Sequence, residues 1–306
     1  MLLRKKLQLN SCVIWLTYKC NLRCPYCPEW EKDKYWYNIE VHDKNKWVGA
    51  IDSLHPLVCD ITGGEPSLHP AFYAILNEVK TKHFFAITSN LTVLNLNMLP
   101  SSRPLFVTLS WHPSSQMNID QFILKAKELR EFKNIQLGAV NFVATKKAFI
   151  EGIPQFVLTN EYKKIFEENE FIFHVDPDFC NPNWTEDEAK IISQIESKDR
   201  GKSLQYRLNK KKYCSAGMTH IQVYPDGSMA PCGNLRTHIL GNLFENGTKK
   251  LYTSFIQCDS NKCMGCDADA VVMLDANRSV VSKGKYSIKA KLNRRLRYLR
   301  YRFLKR

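Results

Sequence analysis

The chain has 306 residues, and its 44 Lys and Arg outnumber its 30 Asp and Glu, which gives a formal net charge of +14. Residues 276–306 hold 12 of the basic residues and none of the acidic ones, so the rest of the chain carries a net charge of only +2. A hydrophobic share of 44% excludes a disordered chain, and the charge distribution excludes a fold that is basic throughout. No apolar run reaches the ~18 residues of a membrane span.

Six short runs of apolar, β-branched or aromatic residues predict strands. They lie at 12–17, 58–62, 84–88, 105–110, 137–143 and 171–175. Continuous runs are typical of strands that are buried on both faces of a parallel sheet. Crossover helices fit between them, and residues 70–80 and 119–132 show the pattern of such helices. Six β-α repeats predict an α/β fold, a partial (β/α)6 TIM-like barrel, with functional groups at the carboxyl ends of the strands.

Eleven cysteines occur in a chain whose N-terminus lacks the apolar segment of a secretion signal. This predicts a cytoplasmic protein, and in a reducing compartment clustered cysteines bind metal more often than they form disulfides.

Three cysteines follow the first predicted strand with the spacing C-x3-C-x2-C, at Cys20, Cys24 and Cys27. Thiolates select zinc or iron–sulfur clusters. In a four-iron cluster, three thiolates leave one iron open to a ligand, whereas a structural zinc needs a fourth protein ligand. The closest candidates for that ligand are His42 and Cys59, neither at a usual spacing, and the spacing leaves both metals open.

A second motif, Gly63-Gly64-Glu65-Pro66, follows the second predicted strand. Two glycines let a backbone approach a ligand closely, and Glu65 adds a carboxylate. Because consecutive strands are usually neighbours in a sheet, this motif is expected beside the cysteine loop.

Together, the run CNLRCPYC at 20–27 and the run GGEP at 63–66 resemble the radical S-adenosylmethionine (SAM) enzymes, over about residues 12–180. The resemblance implies that the three cysteines ligate a [4Fe–4S] cluster whose open iron chelates SAM. An electron from this cluster would cleave SAM to a 5′-deoxyadenosyl radical that abstracts hydrogen from the substrate. The resemblance further implies an external reductant such as flavodoxin or ferredoxin.

Several residues acquire SAM-binding roles from this resemblance. Glu65 would accept a hydrogen bond from the SAM amino group, and Tyr26 would pack near the adenine. The other residues with implied SAM contacts are Gly63, Gly64, Pro66, Ser89, Asn90 and Ser110.

Two residues after the later strands are candidate catalytic groups. If a hydroxyl carbon is oxidised, a base must take the O–H proton, and His112 or Asp176 could do so. Asn141 is a further candidate for substrate contact. The alternative is structural, since Asp176-Pro177-Asp178 also fits a turn.

The pattern changes after about residue 202. Pro-Asp-Gly at 225–227 predicts a tight turn between strands at 219–224 and 228–229. The spacing of Cys214, Gly227 and Cys232 resembles the opening of the auxiliary-cluster domains called SPASM and Twitch.

That second resemblance implies one auxiliary [4Fe–4S] cluster. Its implied ligands are Cys214, Cys232, Cys263 and Cys266. Cys258 could replace one of them, and a structural zinc knuckle is the alternative. With four thiolates and no open iron, the cluster would accept an electron from the substrate, giving a net oxidation, or would hold the fold of the module.

We therefore expect three parts: a core at 1–203, an auxiliary module (a Cys-rich β-hairpin/α unit) at 204–275 and a basic amphipathic helix at 276–306. The helix has three interpretations. It could dock on an anionic membrane, which would place the enzyme at the inner face of that membrane. It could instead bind phosphates of a nucleic acid or of a lipid-linked substrate. In the third interpretation it packs on its own barrel.

The leading functional interpretation is a radical SAM enzyme that abstracts hydrogen from a small molecule, sugar or lipid-linked intermediate, with a net oxidation as the expected outcome. The alternatives are a maturase that modifies a ribosomally made peptide and an RNA-modifying enzyme. An electron carrier or a zinc-stabilised binding protein is the non-enzyme alternative, but it does not explain GGEP beside CNLRCPYC.

Overall fold

A computed structural model of the chain describes residues 9–24, 26–27, 39–113, 115, 117–150, 153–178, 184–193, 213–245, 250–258, 273–274 and 280–282. The strands are β1 (Ser11–Thr17), β2 (Val58–Gly63), β3 (Phe84–Ser89), β4 (Leu105–Trp111), β5 (Ile135–Ala144), β6 (Ala148–Ile150), β7 (Ile153–Pro154), β8 (Phe173–Pro177), β9 (Tyr213–Cys214), β10 (His220–Val223), β11 (Ser228–Ala230), β12 (Gly241–Asn242), β13 (Ile256–Gln257), β14 (Met273–Leu274) and β15 (Val280–Ser282). The helices are α1 (Lys44–Asp52), α2 (Phe72–Glu78), α3 (Ile119–Arg130), α4 (Thr159–Glu168) and α5 (Glu186–Ser193).

A mostly parallel sheet organises the fold, in the order β12-β11-β10-β1-β2-β3-β4-β5-β8. The pairs from β10 through β1 to β8 are all parallel. Six of these strands are the six predicted from apolar runs, and their ends differ by at most two residues from the prediction. The predicted α/β class with a partial barrel is therefore confirmed. A four-stranded sheet, β13-β9-β14-β15, takes β9 from before and its other three strands from after the main-sheet strands β10 to β12.

Helix α3 shows how local sequence produces these elements. Asn118 caps the helix by accepting from the backbone N of Gln121, whose side chain accepts from the backbone N of Asn118. Asp120 lies in the first turn and Arg130 in the last, where their charges oppose the helix dipole. The buried face consists of Phe122, Ile123, Ala126 and Leu129. Burial of one such large side chain is worth roughly 1.5–3 kcal/mol, so this face rather than the cap fixes α3 on the sheet.

The two faces of the sheet differ in chemistry. Along β4, Val107, Leu109 and Trp111 are buried in the main core, and the Trp111 ring meets the Phe122 ring of α3 at 5.2 Å. Because side chains alternate along a strand, Thr108 and Ser110 lie on the opposite face, where both are half-buried. The helices thus cover an apolar face, and the other face carries polar side chains.

The hairpin predicted around 225–227 is present as β10 and β11. The Asp226 carboxylate accepts from the backbone N and the hydroxyl of Ser228, at 2.9 and 2.6 Å. Gly227 has a φ of +82°, which a residue with a side chain rarely adopts. The hairpin does not stand apart from the core, because β10 pairs with β1 in register Ser11↔His220. The domain boundary at 203/204 stays a prediction, and the main sheet continues across it.

Several predictions fall outside the described residues. These concern the cysteines Cys263 and Cys266 and nearly all of the basic segment 276–306. In the described part of the chain, no helix has both the length and the apolar character needed to cross a membrane.

Candidate active site

The first three cysteines lie on the loop that follows β1. Leu22, Cys24 and Tyr26 are buried together, and Cys20, Cys27 and Val143 pack against them. The backbone N of Cys27 donates to the carbonyl of Cys24 at 2.9 Å, which tightens the loop between the last two cysteines. Since Val143 is near the end of β5, the loop is held over the carboxyl ends of the strands, as predicted.

The Cys20 sulfur has two nitrogen donors. The backbone N of Leu22 donates to it at 3.4 Å and the side-chain amide of Asn90 at 3.8 Å. Burial raises the pKa of the Cys20 thiol to about 11, and the Leu22 N–H acts in the opposite direction. The raised pKa keeps the free Cys20 thiol protonated near neutral pH, so a metal that bound there would displace this proton.

The spacing of the thiols bears on which metal they fit. Among the residues that the structure describes, the group of three His, Cys, Asp or Glu ligand atoms that all lie within 4.8 Å of one another is Glu40, His42 and His69. Thiolates around one zinc, each about 2.3 Å from the ion, lie about 3.8 Å apart. The three cysteine sulfurs of the loop are not such a group within 4.8 Å, and a multi-iron cluster, in which each thiolate binds its own iron, does not require one. Cys59, the proposed fourth zinc ligand, is in the core opposite Cys12, at the other end of the strands.

The Glu40, His42 and His69 group has its own explanation. Both ring nitrogens of His69 have backbone partners, the carbonyl of Val41 and the N of Ala71, each at 3.1 Å. The Lys19 ammonium lies 3.7 Å from the Glu40 carboxylate and 3.5 Å from the His42 ring. A lysine already supplies the positive charge that a metal would bring.

The glycines of the second motif are required by the chain's own backbone. A Cβ on Gly63 would lie 2.2 Å from the carbonyl oxygen of Thr17, and a Cβ on Gly64 would lie 2.2 Å from that of Lys19. The backbone N of Gly64 donates to Thr17 at 2.8 Å, and that of Glu65 donates to Lys19 at 2.9 Å. The motif thus lies flat against the backbone that leads into Cys20.

Glu65 is fully buried, and four donors meet its carboxylate. Oε1 accepts from the backbone N and hydroxyl of Ser67 at 3.2 and 2.6 Å and from the hydroxyl of Ser89 at 3.0 Å. Oε2 accepts from the backbone N of Asn90 at 2.8 Å. Burial raises the pKa of Glu65, while these donors lower it. A carboxylate accepts about four hydrogen bonds, so Glu65 holds the residues of the site together. Its contact with the SAM amino group stays a prediction.

Ser89 and Asn90, at the end of β3, continue this network. The Leu91 backbone N donates to the Ser89 hydroxyl at 3.0 Å, and Leu91 adopts a φ of +64°. The Thr92 backbone N and hydroxyl both donate to the Asn90 amide oxygen. Asn21, next to Cys20, donates to the Thr92 hydroxyl at 2.7 Å. The cysteine loop, GGEP and the end of β3 thus form one hydrogen-bonded unit; Pro66 begins its 3₁₀ turn, Pro66–Leu68.

Tyr26 and His112 contact each other. The Tyr26 hydroxyl lies 2.5 Å from His112 Nδ1, and the two rings are nearly parallel, with centroids 6.0 Å apart. Burial lowers the pKa of His112 to about 4, so the ring is neutral near pH 7. Burial also raises the pKa of Tyr26 well above its usual range, which keeps its proton in place. Roles for His112 as a base and for Tyr26 beside adenine stay predictions.

The polar face of the sheet brings together residues from three strands. Ser110 of β4, Asn141 of β5 and His174 of β8 are register partners in one row. His174 Nε2 lies 3.2 Å from a carboxylate oxygen of Asp176, which is the register partner of Val143. Sequence reasoning named Asp176 but missed His174. The signal was the two-residue spacing, which places both side chains on one face of a strand.

The second cysteine group is described in part. Cys232 is buried with Ala216 and Leu235, and Cys214 packs against them. The Cys214 sulfur accepts from the backbone N of Ala216 at 3.4 Å, which repeats the arrangement of Cys20 and Leu22. Cys258 follows β13, whose Ile256 is the register partner of Cys214, so its alternative role stays open. Cys263 and Cys266 lie outside the described residues.

Arg236, which sequence reasoning missed, links the β10–β11 hairpin to the loop that follows β1. The Arg236 guanidinium lies over the rings of Tyr18 and Tyr224, at 5.1 and 4.6 Å, and donates to the Tyr18 hydroxyl. Such stacking of a cation on aromatic faces stabilises by about 0.5–2 kcal/mol. The hairpin module is thereby tied to the loop that carries Cys20.

Comparison with known families agrees with this site. The model of the Radical SAM superfamily matches residues 15–109, which include the first cysteine group and GGEP. The chain is 21% identical over 285 residues to "Antilisterial bacteriocin subtilosin biosynthesis protein AlbA" of Bacillus subtilis (strain 168). The match covers 78% of this chain and 58% of AlbA, so the chain spans little more than half of that relative.

Solved structures share the fold. Streptococcus suis SuiB bound to S-adenosylmethionine superposes with a TM-score of 0.54 at 17% identity, over 78% of this chain and 62% of SuiB. Native anSMEcpe with bound AdoMet gives a TM-score of 0.57 at 16% identity, over 82% of each chain. The same protein with AdoMet and a Cp18Cys peptide gives 0.54 at 16% identity, over 83% of this chain and 81% of that one.

Proposed function

We propose that this chain, whose residues 15–109 match the Radical SAM superfamily model, is a radical SAM enzyme that uses a [4Fe–4S] cluster and SAM. We further propose that its substrate is a peptide. The observation that carries the proposal is the likeness to AlbA, which is named for bacteriocin biosynthesis. The peptide-bound anSMEcpe structure, with the same fold, supports it. These relatives favour the peptide alternative over the small-molecule, sugar or lipid-linked substrate that the sequence led us to expect first.

Each element of the site has a role in this proposal. Cys20, Cys24 and Cys27 hold the cluster, and Glu65 and Asn90 hold the loop in position. When bound, the cluster and SAM together supply the electron and the hydrogen-abstracting group. The protein's own task is to bind and orient the substrate and to exclude water, and the buried packing of Leu22, Cys24 and Tyr26 serves the last purpose.

The peptide is proposed to bind along the polar face of the sheet. Ser110, Asn141 and His174 offer a hydroxyl, an amide and an imidazole in one row, which suit the N–H and C=O groups of a peptide. Asp176 holds the His174 ring at 3.2 Å. Val143 packs on the cysteine loop beside Asp176 in the register, so a bound peptide would lie next to the cluster.

We propose that the modification is a net oxidation. Cys214 and Cys232, with Cys263 and Cys266, would hold an auxiliary cluster, and that cluster would supply the electron acceptor for such an oxidation. The repeated amide-to-sulfur hydrogen bond at Cys214 supports a thiolate there. We also propose that an external flavodoxin or ferredoxin is the reductant. The basic C-terminal segment is proposed to contact a membrane or a phosphate group.

The test uses the full chain, reconstituted anaerobically with iron and sulfide. We expect about eight irons per chain, formation of 5′-deoxyadenosine from SAM and a mass change in a short peptide encoded beside the gene. Cys24→Ala should abolish both products, because it removes a cluster ligand. The matched control is Cys59→Ala, a core cysteine away from the loop, which should retain both.

The outcomes separate the parts of the proposal. SAM cleavage without a mass change in any such peptide would contradict the peptide substrate and leave the enzyme class intact. Binding of about four irons would remove the auxiliary cluster. Recovery of zinc alone would refute the enzyme itself.

A further inference from the structure

We propose that the side-chain amide of Asn90 donates a hydrogen bond to the Cys20 thiolate and thereby raises the reduction potential of the cluster. Sequence resemblance assigned Asn90 to SAM, not to the cluster. The inference rests on the ligand assignment of the proposed function, because Cys20 must be a cluster ligand. It adds a residue outside the cysteine motif that adjusts the chemistry of that motif.

The orientation of the Asn90 amide follows from its partners. An amide oxygen and nitrogen are hard to tell apart by shape, but the Thr92 backbone N can only donate, and it lies 3.0 Å from the Asn90 oxygen. The oxygen therefore points at Thr92. The nitrogen must point the other way, where it lies 3.8 Å from the Cys20 sulfur and 3.2 Å from the Asn21 side-chain oxygen.

The position of Asn90 is fixed as firmly as its orientation. Its backbone N donates to Glu65 at 2.8 Å, and the neighbouring Ser89 hydroxyl donates to the same carboxylate at 3.0 Å. Asn90 is 5% exposed, so little water can compete for the sulfur from its side. A donor held in this way costs no reorganisation when the charge on the sulfur changes.

A hydrogen bond to a cluster thiolate acts on the redox equilibrium. One-electron reduction adds negative charge to the cluster and its sulfur ligands, and a donor stabilises the more negative state. Loss of one such bond should lower the equilibrium constant for reduction about threefold to tenfold, which at about 59 mV per tenfold is a fall of about 30–60 mV. The Leu22 N–H, also on Cys20, remains and keeps the ligand in place.

The experiment is a redox titration of the reconstituted full chain, followed by EPR of the reduced cluster, without SAM and without substrate. Asn90→Leu keeps the branched shape of the side chain and removes the donor, so the midpoint potential should fall. Asn90→Asp removes the donor and adds a negative charge, so it should fall further. Asn97→Ala, an exposed asparagine on the same connection, is the matched control and should leave the potential unchanged.

An unchanged potential in Asn90→Leu with a loaded cluster would overturn the inference. If the substituted chains lose the cluster, the wild type can be measured instead. Pulsed EPR would then be recorded on wild-type protein that carries ¹⁵N only in its asparagine side chains. A ¹⁵N coupling to the reduced cluster would support the hydrogen bond, and its absence would refute it. If the wild type loads no cluster, the proposed function fails first.

Discussion

Glu65 shows at the scale of a residue how the structure changes an interpretation. A carboxylate after two glycines suggests a ligand for a bound molecule. The structure adds that the carboxylate meets donors from Ser67, Ser89 and Asn90, which come from two different connections. The buried carboxylate has no cationic partner among the hydrogen bonds described, and the four donors compensate its burial directly.

We expect Glu65→Gln to destabilise the protein by about 1–3 kcal/mol, because the amide nitrogen of Gln would face a backbone N–H that needs an acceptor. Thermal or denaturant unfolding of the variant against the wild type measures this. The matched control is Glu78→Gln, where the exposed carboxylate pairs with Lys44 and the change should be small. Equal stability of the two variants would contradict the proposal that the hydrogen bonds of Glu65 stabilise the fold.

The junction of β1 and β2 shows the same principle at the scale of elements. Both strands end at the site, and the turn after β2 lies against the backbone after β1 at hydrogen-bond distance. Only a residue without a Cβ fits there, since the atoms it would meet are backbone carbonyls that cannot rotate away.

Gly64→Ala should separate the two strand ends, because its Cβ would lie 2.2 Å from the Lys19 carbonyl. We expect a loss of iron loading together with a fall in stability, measured by iron content and unfolding. Gly49→Ala is the control: nothing lies within 4 Å of its Cβ, and in the middle of α1 alanine should stabilise by roughly 0.5–1 kcal/mol. Normal iron loading in Gly64→Ala would show that the close approach is dispensable.

At the scale of the whole molecule, the hairpin module completes the core sheet. β10 pairs with β1 on the side away from β2, and its Ile221 and Val223 are buried in the main core. Arg236 adds a contact to Tyr18 at the end of β1. The strand that leads to the first cysteine group is thereby central rather than at the edge of the sheet.

We therefore expect residues 1–203 alone to aggregate or to lose cooperative unfolding. Without β10, one edge of β1 has unpaired backbone groups and the core loses apolar cover. Size-exclusion chromatography and thermal melting of the fragment against the full chain test this. A monomeric fragment that melts cooperatively and binds iron would show that the core folds by itself.

Local patterns predicted much of this protein. Continuous apolar runs identified the six core strands to within two residues, because burial on both faces leaves little choice of side chain. The C-x3-C-x2-C and GGEP runs indicated a resemblance to the Radical SAM superfamily, whose model matches residues 15–109, because their spacing lies within single loops. Turn chemistry at Asp226 and Gly227 identified the hairpin in the same way.

Contacts between distant segments were decided only by the tertiary structure. The Asn90 amide on Cys20, the His174 and Asp176 pair beside Val143 and the Arg236 contact with Tyr18 join residues on different strands or loops. The pairing of β10 with β1 is of the same kind. Sequence spacing reports on neighbours along the chain, whereas these contacts depend on strand order and register, which follow from the packing of the whole sheet.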